Sequence, residues 1–274
     1  TSFAHSPRLQ EHMGFLYRVG SMYLCFNENL LYHGCLPMNE DSSFAELAID
    51  GKMYAGRDLL DILDQKSRFA WVNRKKGGED QRKAVDLMWY MWCGKKSPLF
   101  GRDRMTTFER RFLADESTWT EPKNVYYQLY NDPEICEALL REFGLEGPHC
   151  HIINGHVPVK SKKGESPMKG GGRLLVIDGG FCKAYQPTSG IAGYTLIYNS
   201  RNIRIVSHQP FAGREEAIRH NHDIANDSVI FERMENRVKI AETDIGKELK
   251  HQAADLRRLL EAYRSGAVTE DHKE

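Results

Sequence analysis

The sequence contains no run of uncharged apolar residues approaching the length of a membrane-spanning helix, and no polybasic stretch that would hold it to a membrane surface. It also lacks an excess of either charge: Lys+Arg and Asp+Glu both number 38, so the formal net charge is zero. The basic footprint of a nucleic-acid binder is therefore missing. Cysteine is scarce, with six residues scattered over 274 and no C-x-x-C pair, too few for a disulfide framework in a chain this long. Cys25, Cys35, Cys93, Cys136, Cys150 and Cys182 read as reduced thiols of a cytoplasmic protein, mostly filling core. Neither an initiating Met nor a signal peptide precedes Thr1-Ser2-Phe3-Ala4-His5, a start that reads as a fragment of something larger. There is no internal repeat. A Walker-type phosphate loop is missing as well. Gly170-Gly171-Gly172 follows Lys169 and precedes a strand, so no helix N-terminus faces an anion there, and the triplet reads as a flexible linker.

What is present suffices for one large domain or two small ones, since 41% hydrophobic and 28% charged residues are ordinary for a globular protein. Met22 to Phe26 and Leu30 to His33 read as strands around a turn at Asn27, Glu28 and Asn29. A helix is expected from about Gly56, and another from an N-cap at Asp80 to Cys93. In the second helix Val85, Met88 and Trp92 share a face, and this Met/Trp stripe reads as core. Pro133 to Phe143 reads as a helix closed by Gly144. His151 to Asn154 and Arg173 to Ile177 read as strands, with Lys160 to Gly172 a mobile loop between them. Tyr194 to Tyr198 and Ile203 to Ser207 form a hairpin. From Thr243 to Gly266 an amphipathic helix presents an apolar stripe that must rest on the domain or on another subunit, which admits a homo-oligomer. The fold class is α/β: a sandwich with antiparallel pairs rather than a doubly wound parallel sheet. The expected organisation is a body at 1–240 and a terminal helix with tail at 241–274.

Two histidines stand at strand ends beside glycine, His33 before Gly34 and His156 after Gly155. An imidazole fixed by a strand end, with glycine clearing space beside it, suits a metal ion; an isolated Gly-His pair is more often a satisfied, partly buried histidine. His149, Cys150, His151 and His156 are close in sequence, but alternation along a strand turns Cys150 away from His149 and His151.

Taken together these segments resemble a known family. Leu30-Leu31-Tyr32-His33-Gly34-Cys35-Leu36-Pro37 resembles the apolar-His-Gly-x-Leu block of calcineurin-like metallophosphatases. Ile152-Ile153-Asn154-Gly155-His156-Val157-Pro158 resembles their later Gly-His-x-Pro block, and Val176-Ile177-Asp178-Gly179-Gly180 the strand and turn after it. Ser97-Pro98-Leu99-Phe100-Gly101 followed by Met105-Thr106-Thr107-Phe108-Glu109-Arg110 is similar to class III fructose-1,6-bisphosphatases. The resemblance runs from about Gly14 to about Phe211. It implies the C-terminal portion of a calcineurin-like sandwich of mixed sheets flanked by helices, hydrolysing fructose 1,6-bisphosphate to fructose 6-phosphate in gluconeogenesis. It implies two divalent ions, manganese foremost, with His33 and His156 on the same ion. Arg102 or Arg104 would stabilise phosphate charge, and Lys160 and Lys162 would engage the phosphate that is not cleaved.

The family's earlier blocks, Asp-x-His, Gly-Asp-x-x-Asp and Gly-Asn-His-Glu, are not present before His33. The expected partner is therefore a missing N-terminal portion of the same polypeptide, beside the sugar bisphosphate; no nucleic acid and no membrane are expected. Two other functions compete: a metallophosphatase for nucleotides or phosphoproteins, and a non-catalytic binding domain. A fragment of a layered fold is expected to expose the central strands bearing Leu31, Tyr32, Ile152, Ile153, Leu175 and Ile177, or to cover them with another copy.

Overall fold

The computed structural model describes residues 2–221 and 226–269, so the end of the expected tail, 270–274, lies outside the described residues. In chain order the elements are α1 Pro7–Val19, β1 Tyr23–Phe26, β2 Asn29–Tyr32, β3 Leu47–Ile49, β4 Lys52–Tyr54, α2 Gly56–Val72, α3 Glu79–Cys93, α4 Thr107–Phe112, α5 Tyr126–Leu129 and α6 Pro133–Glu142. They continue with β5 His151–Asn154, β6 Met168–Lys169, β7 Leu174–Val176, α7 Gln186–Ser189, β8 Gly193–Tyr198, β9 Asn202–His208, α8 Arg214–His220, β10 Asn226–Arg233 and α9 Asp244–Arg264. The class is mixed α/β. None of the described helices is long and apolar enough to cross a membrane.

The main sheet has the order β1-β2-β5-β7-β6. β1 and β2 are antiparallel, joined by the two residues Asn27 and Glu28 at φ 47° and 64°, the left-handed turn that matches strand twist. β2 then pairs parallel with β5, and β5 parallel with β7, while β6 closes the far edge antiparallel to β7. The sheet is thus mixed, as expected, with antiparallel pairs at its margins and a parallel centre. β5 and β7 are buried at every residue, as strands covered on both faces must be, and short apolar runs carry no alternation that would reveal their direction.

The segment expected as a loop at Lys160 to Gly172 carries local structure. It contains β6, and its three glycines, all at positive φ, turn tightly against α6. A Cβ on Gly170 would lie 2.4 Å from Cys136 Sγ, so the triplet is a close-packed corner rather than a linker. The N-cap of α3 is Gly78, with no side-chain bond, and Asp80 lies in the first turn. The Met/Trp stripe is core only in part. α3 buries Ala84 and Met91; Met91 packs with Leu59 and Leu63 of α2, and Met88 and Leu87 pack against that cluster, whereas Val85 and Trp92 are exposed. α1, which no expectation covered, is capped by Ser6 and begins with Pro7 but buries none of its residues. The β3–β4 hairpin was also unforeseen, although its Asp50-Gly51 turn is a strong hairpin signal.

Ile152, Tyr32, Ile153 and Leu175 are buried within the single chain, and Leu31 and Ile177 are half-buried. The central strands are therefore covered, contrary to the expectation of exposure, and apolar surface is left instead on β1, α1 and α3. Each fully buried Ile or Leu here contributes about 1.5–3 kcal/mol. Of the cysteines, Cys35, Cys136 and Cys150 are core; Cys25 and Cys182 are exposed. Burial pushes the Cys35 and Cys136 thiols up to about 12, so neither is a ready nucleophile.

The chain divides into two compact units, Thr1–Thr195 with Ser207–Asp227 and Leu196–Val206 with Ser228–Glu274. The second unit holds the tip of the β8–β9 hairpin, to which Met234 N and Val238 N bond through the carbonyls of Arg201 and Ser200 at 2.9 and 2.8 Å. It also holds α9, capped by Thr243. Ile245, Leu249, Leu256 and Leu260 of the apolar stripe of α9 are exposed within this chain. A further sheet has the strand order β10-β9-β8.

Candidate active site

Parallel neighbours in a sheet bring their C-terminal ends to the same edge, where ligands of such sheets bind. Three side chains that can ligate or titrate follow those ends here: His33 after β2, His156 after β5 and Asp178 after β7. The strands hold them in register, with Gly155 N bonded to His33 O and Ile177 N to Asn154 O, both at 2.9 Å. Asn154 ties the ends together from inside: its buried amide donates to Gly34 O at 3.1 Å and to Tyr126 Oη at 2.8 Å, and Tyr126 Oη meets Tyr32 Oη at 2.5 Å.

The structure brings His33 and His156 into contact. His33 Nε2 lies 3.0 Å from His156 Nδ1, and the rings meet edge-on with centroids 4.8 Å apart. His156 is held in a left-handed conformation, φ 67°, at the centre of a three-residue turn closed by Val157 N to Gly155 O at 2.8 Å. A side chain in that region is strained, and strain of this kind concentrates at functional sites. Its far nitrogen, Nε2, lies 2.7 Å from the Phe100 carbonyl. A carbonyl only accepts, so Nε2 carries the proton and the Nδ1 lone pair points at His33.

The Ser97-Pro98-Leu99-Phe100-Gly101 segment now has a physical role. Buried Ser97 Oγ accepts from the amides of Leu99 and Phe100, both at 3.2 Å, and donates to Met91 O. That fold aims two carbonyls at the histidine loops: Pro98 O at Cys35 N, 3.0 Å, and Phe100 O at His156. A Cβ on Gly34 would lie 2.4 Å from Pro98 O, so only glycine permits this approach after His33.

Partial burial, and the imidazole of His156 beside it, pull the His33 pKa below its ordinary value, with Asp178 opposing. A neutral imidazole is the form a metal takes. Two nitrogens bound to one ion at about 2.0–2.1 Å, separated by roughly 90–110°, stand about 2.8–3.4 Å apart. The observed 3.0 Å fits that spacing, so the pair suits one ion. It supplies only two donors. Among the described residues no group of three or more His, Cys, Asp or Glu side chains is arranged to hold a metal. Asp178 is turned instead toward Gly180 N, which its Oδ1 accepts at 2.9 Å.

Arg102 and Arg104 differ in setting. The Arg102 guanidinium donates to Glu121 O at 3.2 Å and lies 3.7 Å from the Glu121 carboxylate, whereas Arg104 is exposed. Lys160 and Lys162 also part company. The Glu165 carboxylate accepts from Lys160 N at 2.9 Å, and Lys162 packs its Cβ beside Gly190. Sequence reasoning passed over Lys123, which lies opposite Arg102 in an isolated bridge; nothing local marks it, because its position depends on pairing across the intervening residues. Beside the histidines opens a cavity of about 720 Å³, with an apolar lining that includes Met13, Leu16, Met88, Trp92 and Met105.

The chain matches the family model described as Firmicute fructose-1,6-bisphosphatase over residues 1–265. It is 51% identical over 273 residues to fructose-1,6-bisphosphatase class 3 1 of Clostridium beijerinckii, covering 100% of this chain and 41% of that protein. It is 52% identical over 269 residues to fructose-1,6-bisphosphatase class 3 of Clostridium novyi, covering 98% and 40%. The counterpart of Clostridium tetani is 51% identical over 270 residues, covering 98% and 41%. The chain thus spans about two fifths of the length of these curated relatives. No solved structure matches. With the family model covering nearly all of its residues, the chain belongs to the Firmicute fructose-1,6-bisphosphatase family.

Proposed function

We propose that this chain supplies His33 and His156 to the divalent-metal site of a class III fructose-1,6-bisphosphatase. The complete enzyme would hydrolyse fructose 1,6-bisphosphate to fructose 6-phosphate and phosphate, a gluconeogenic step. The observation that carries this reading is the 3.0 Å approach of His33 Nε2 to His156 Nδ1, with the Phe100 carbonyl fixing the tautomer. Three adjacent parallel strands ending at one edge support a calcineurin-like sandwich, of which this chain is the C-terminal portion.

Bound at the pair, manganese, as one of two ions, would polarise the phosphate and supply hydroxide from bound water near neutral pH. The chain's own residues prepare the site. His33 and His156 present ring nitrogens, and the Phe100 carbonyl orients His156. Arg102, oriented by Glu121, offers a fork to phosphate oxygens and is the better placed of the two arginines for it; Arg104 is the alternative. Lys160 and Lys162 lie on the loop after His156 and would meet the phosphate that stays on the sugar. The remaining metal donors come from polypeptide outside this chain, for which the greater length of the relatives leaves room. The reading includes a cytoplasmic location, which six free thiols support.

The test is a phosphatase panel on the complete enzyme with manganese: fructose 1,6-bisphosphate, nucleotides and a phosphoprotein. Fructose 1,6-bisphosphate should be the preferred substrate, and His33→Ala or His156→Ala should each lower kcat/KM by more than about 100-fold, since even groups that only orient a metal ligand cost 10–100-fold. Preference for a nucleotide or phosphoprotein would replace the substrate. A non-catalytic binding role is favoured by one observation, the supply of only two donors, and full activity of both histidine variants would support it.

A further inference from the structure

Both stretches of chain that flank the histidine pair lead into a cluster of cations. On one side, Phe100, whose carbonyl holds His156, is followed by Gly101 and Arg102. Arg102 pairs with Lys123 in an isolated antiparallel bridge, reinforced by Asp103 N to Pro122 O and Asn124 N to Gly101 O, both at 2.9 Å. Residues directly opposed in such a pair project from the same face. On the other side, the chain after His156 reaches Lys160, and β6 then brings Lys169. Lys123 Nζ lies 5.8 Å from the centre of the Tyr127 ring and Lys169 Nζ 5.6 Å from that of Tyr130, while the two rings are 5.9 Å apart. The lysines therefore stand over adjoining aromatic faces, each ring giving modest cation–π support.

Counter-charge falls short. Glu165 takes Lys169 Nζ at 2.9 Å and the Lys160 amide at 2.9 Å. Glu121 faces Arg102 at 3.7 Å but shares itself with Arg110 at 3.9 Å. Four cations (Arg102, Lys123, Lys160 and Lys169) thus meet two carboxylates. Partial burial is the first cause that lowers the Lys123 pKa; the charges of Lys160, Arg102 and Lys169 act in the same direction, and Glu165 opposes them. Like charges gathered over buried tyrosines cost free energy, and an anion relieves that cost.

We propose that Lys123 and Lys160 form an anion subsite for a phosphate monoester, with Arg102 linking it to the loop that holds His156, and that this subsite takes the phosphate the enzyme leaves on the sugar. This rests on the proposed bisphosphatase reading and assigns to Lys123 a part in choosing bisphosphates over monophosphates. The two lysines act as point charges, and the Arg102 fork adds direction.

Titration calorimetry of the metal-free protein with fructose 6-phosphate, the product that keeps this phosphate, tests the assignment. Lys123→Gln and Lys160→Gln should each weaken binding by about tenfold or more, the effect of losing a charged hydrogen bond. Lys52→Gln, on exposed β4, should bind as the parent does. In turnover assays of the complete enzyme, Lys123→Gln should raise KM for fructose 1,6-bisphosphate and leave kcat nearly unchanged. Unaltered fructose 6-phosphate affinity in both lysine variants, with thermal midpoints showing them folded, overturns the subsite. An enzyme that cleaves fructose 1,6-bisphosphate with the same KM after Lys123→Gln keeps the bisphosphatase reading and loses the subsite. A parent that binds fructose 6-phosphate through Lys123 yet does not cleave the bisphosphate keeps the subsite and loses that reading.

Discussion

Around the histidine pair Leu30, Ile152 and Leu174 are wholly buried, and the Tyr32, Tyr126 and Asn154 side chains bond one another beneath the loops. On α1 and α3 the same kinds of residue face solvent: Phe15, Leu16, Val19, Trp89 and Trp92 each leave more than half of their surface exposed. α1 is attached mainly at its end, where Arg68 donates to the carbonyls of Tyr17 and Gly20 and Tyr17 stacks on Trp71 with centroids 5.0 Å apart. The sheet edge is packed from within, with only a few buried polar atoms such as Asn154 Oδ1 left without a partner; the helical face carries core-type residues without a core. Exposed apolar surface of this extent is typical of places where other polypeptide sits. On the proposed reading, the strands would pre-form part of the site and the face that borders the apolar cavity would be covered by polypeptide outside this chain.

Catalysis should break most completely along this divide. Residues 1–274 alone, with manganese and fructose 1,6-bisphosphate, should release no phosphate above background, because two histidines leave an ion short of donors; efficient turnover by this chain would abolish the distinction between a finished edge and an unfinished face. The next largest effect concerns stability. Ile152→Ala, in the centre of the sheet, should cost about 2–5 kcal/mol in chemical denaturation, the range for emptying a buried aliphatic site. Asn154→Ala should cost less, about 1–3 kcal/mol, by leaving the Gly34 carbonyl and the Tyr126 hydroxyl short of a partner. At the small end, Trp92→Ala should change the stability of this chain by no more than about 0.5 kcal/mol, as surface positions do. A loss as large as that of Ile152→Ala would mean that the α3 face is core after all.

The sequence made the histidine-bearing strand ends legible because each couples a short apolar strand to a glycine, and both neighbours act locally. Asn27, Glu28 and Asn29 likewise announced the β1–β2 turn, and Pro133 the start of α6. The parallel pairing of β2, β5 and β7 was not legible, since strands buried at every residue carry no alternation. The α3 stripe was misread in part for a related reason: periodicity shows that Val85, Met88 and Trp92 share a helix face, but not that only Met88 of the three is covered. Lys123 escaped notice because its neighbours Lys160 and Lys169 come from a distant loop.

The central claim is that His33 and His156 hold one ion between adjacent parallel strands. Anomalous diffraction from crystals of the complete, manganese-loaded enzyme measures this directly. The account predicts a manganese peak within about 2.0–2.3 Å of both His33 Nε2 and His156 Nδ1, with His156 Nε2 still on the Phe100 carbonyl. Manganese bound elsewhere, with the two rings still bonded to each other, would contradict it.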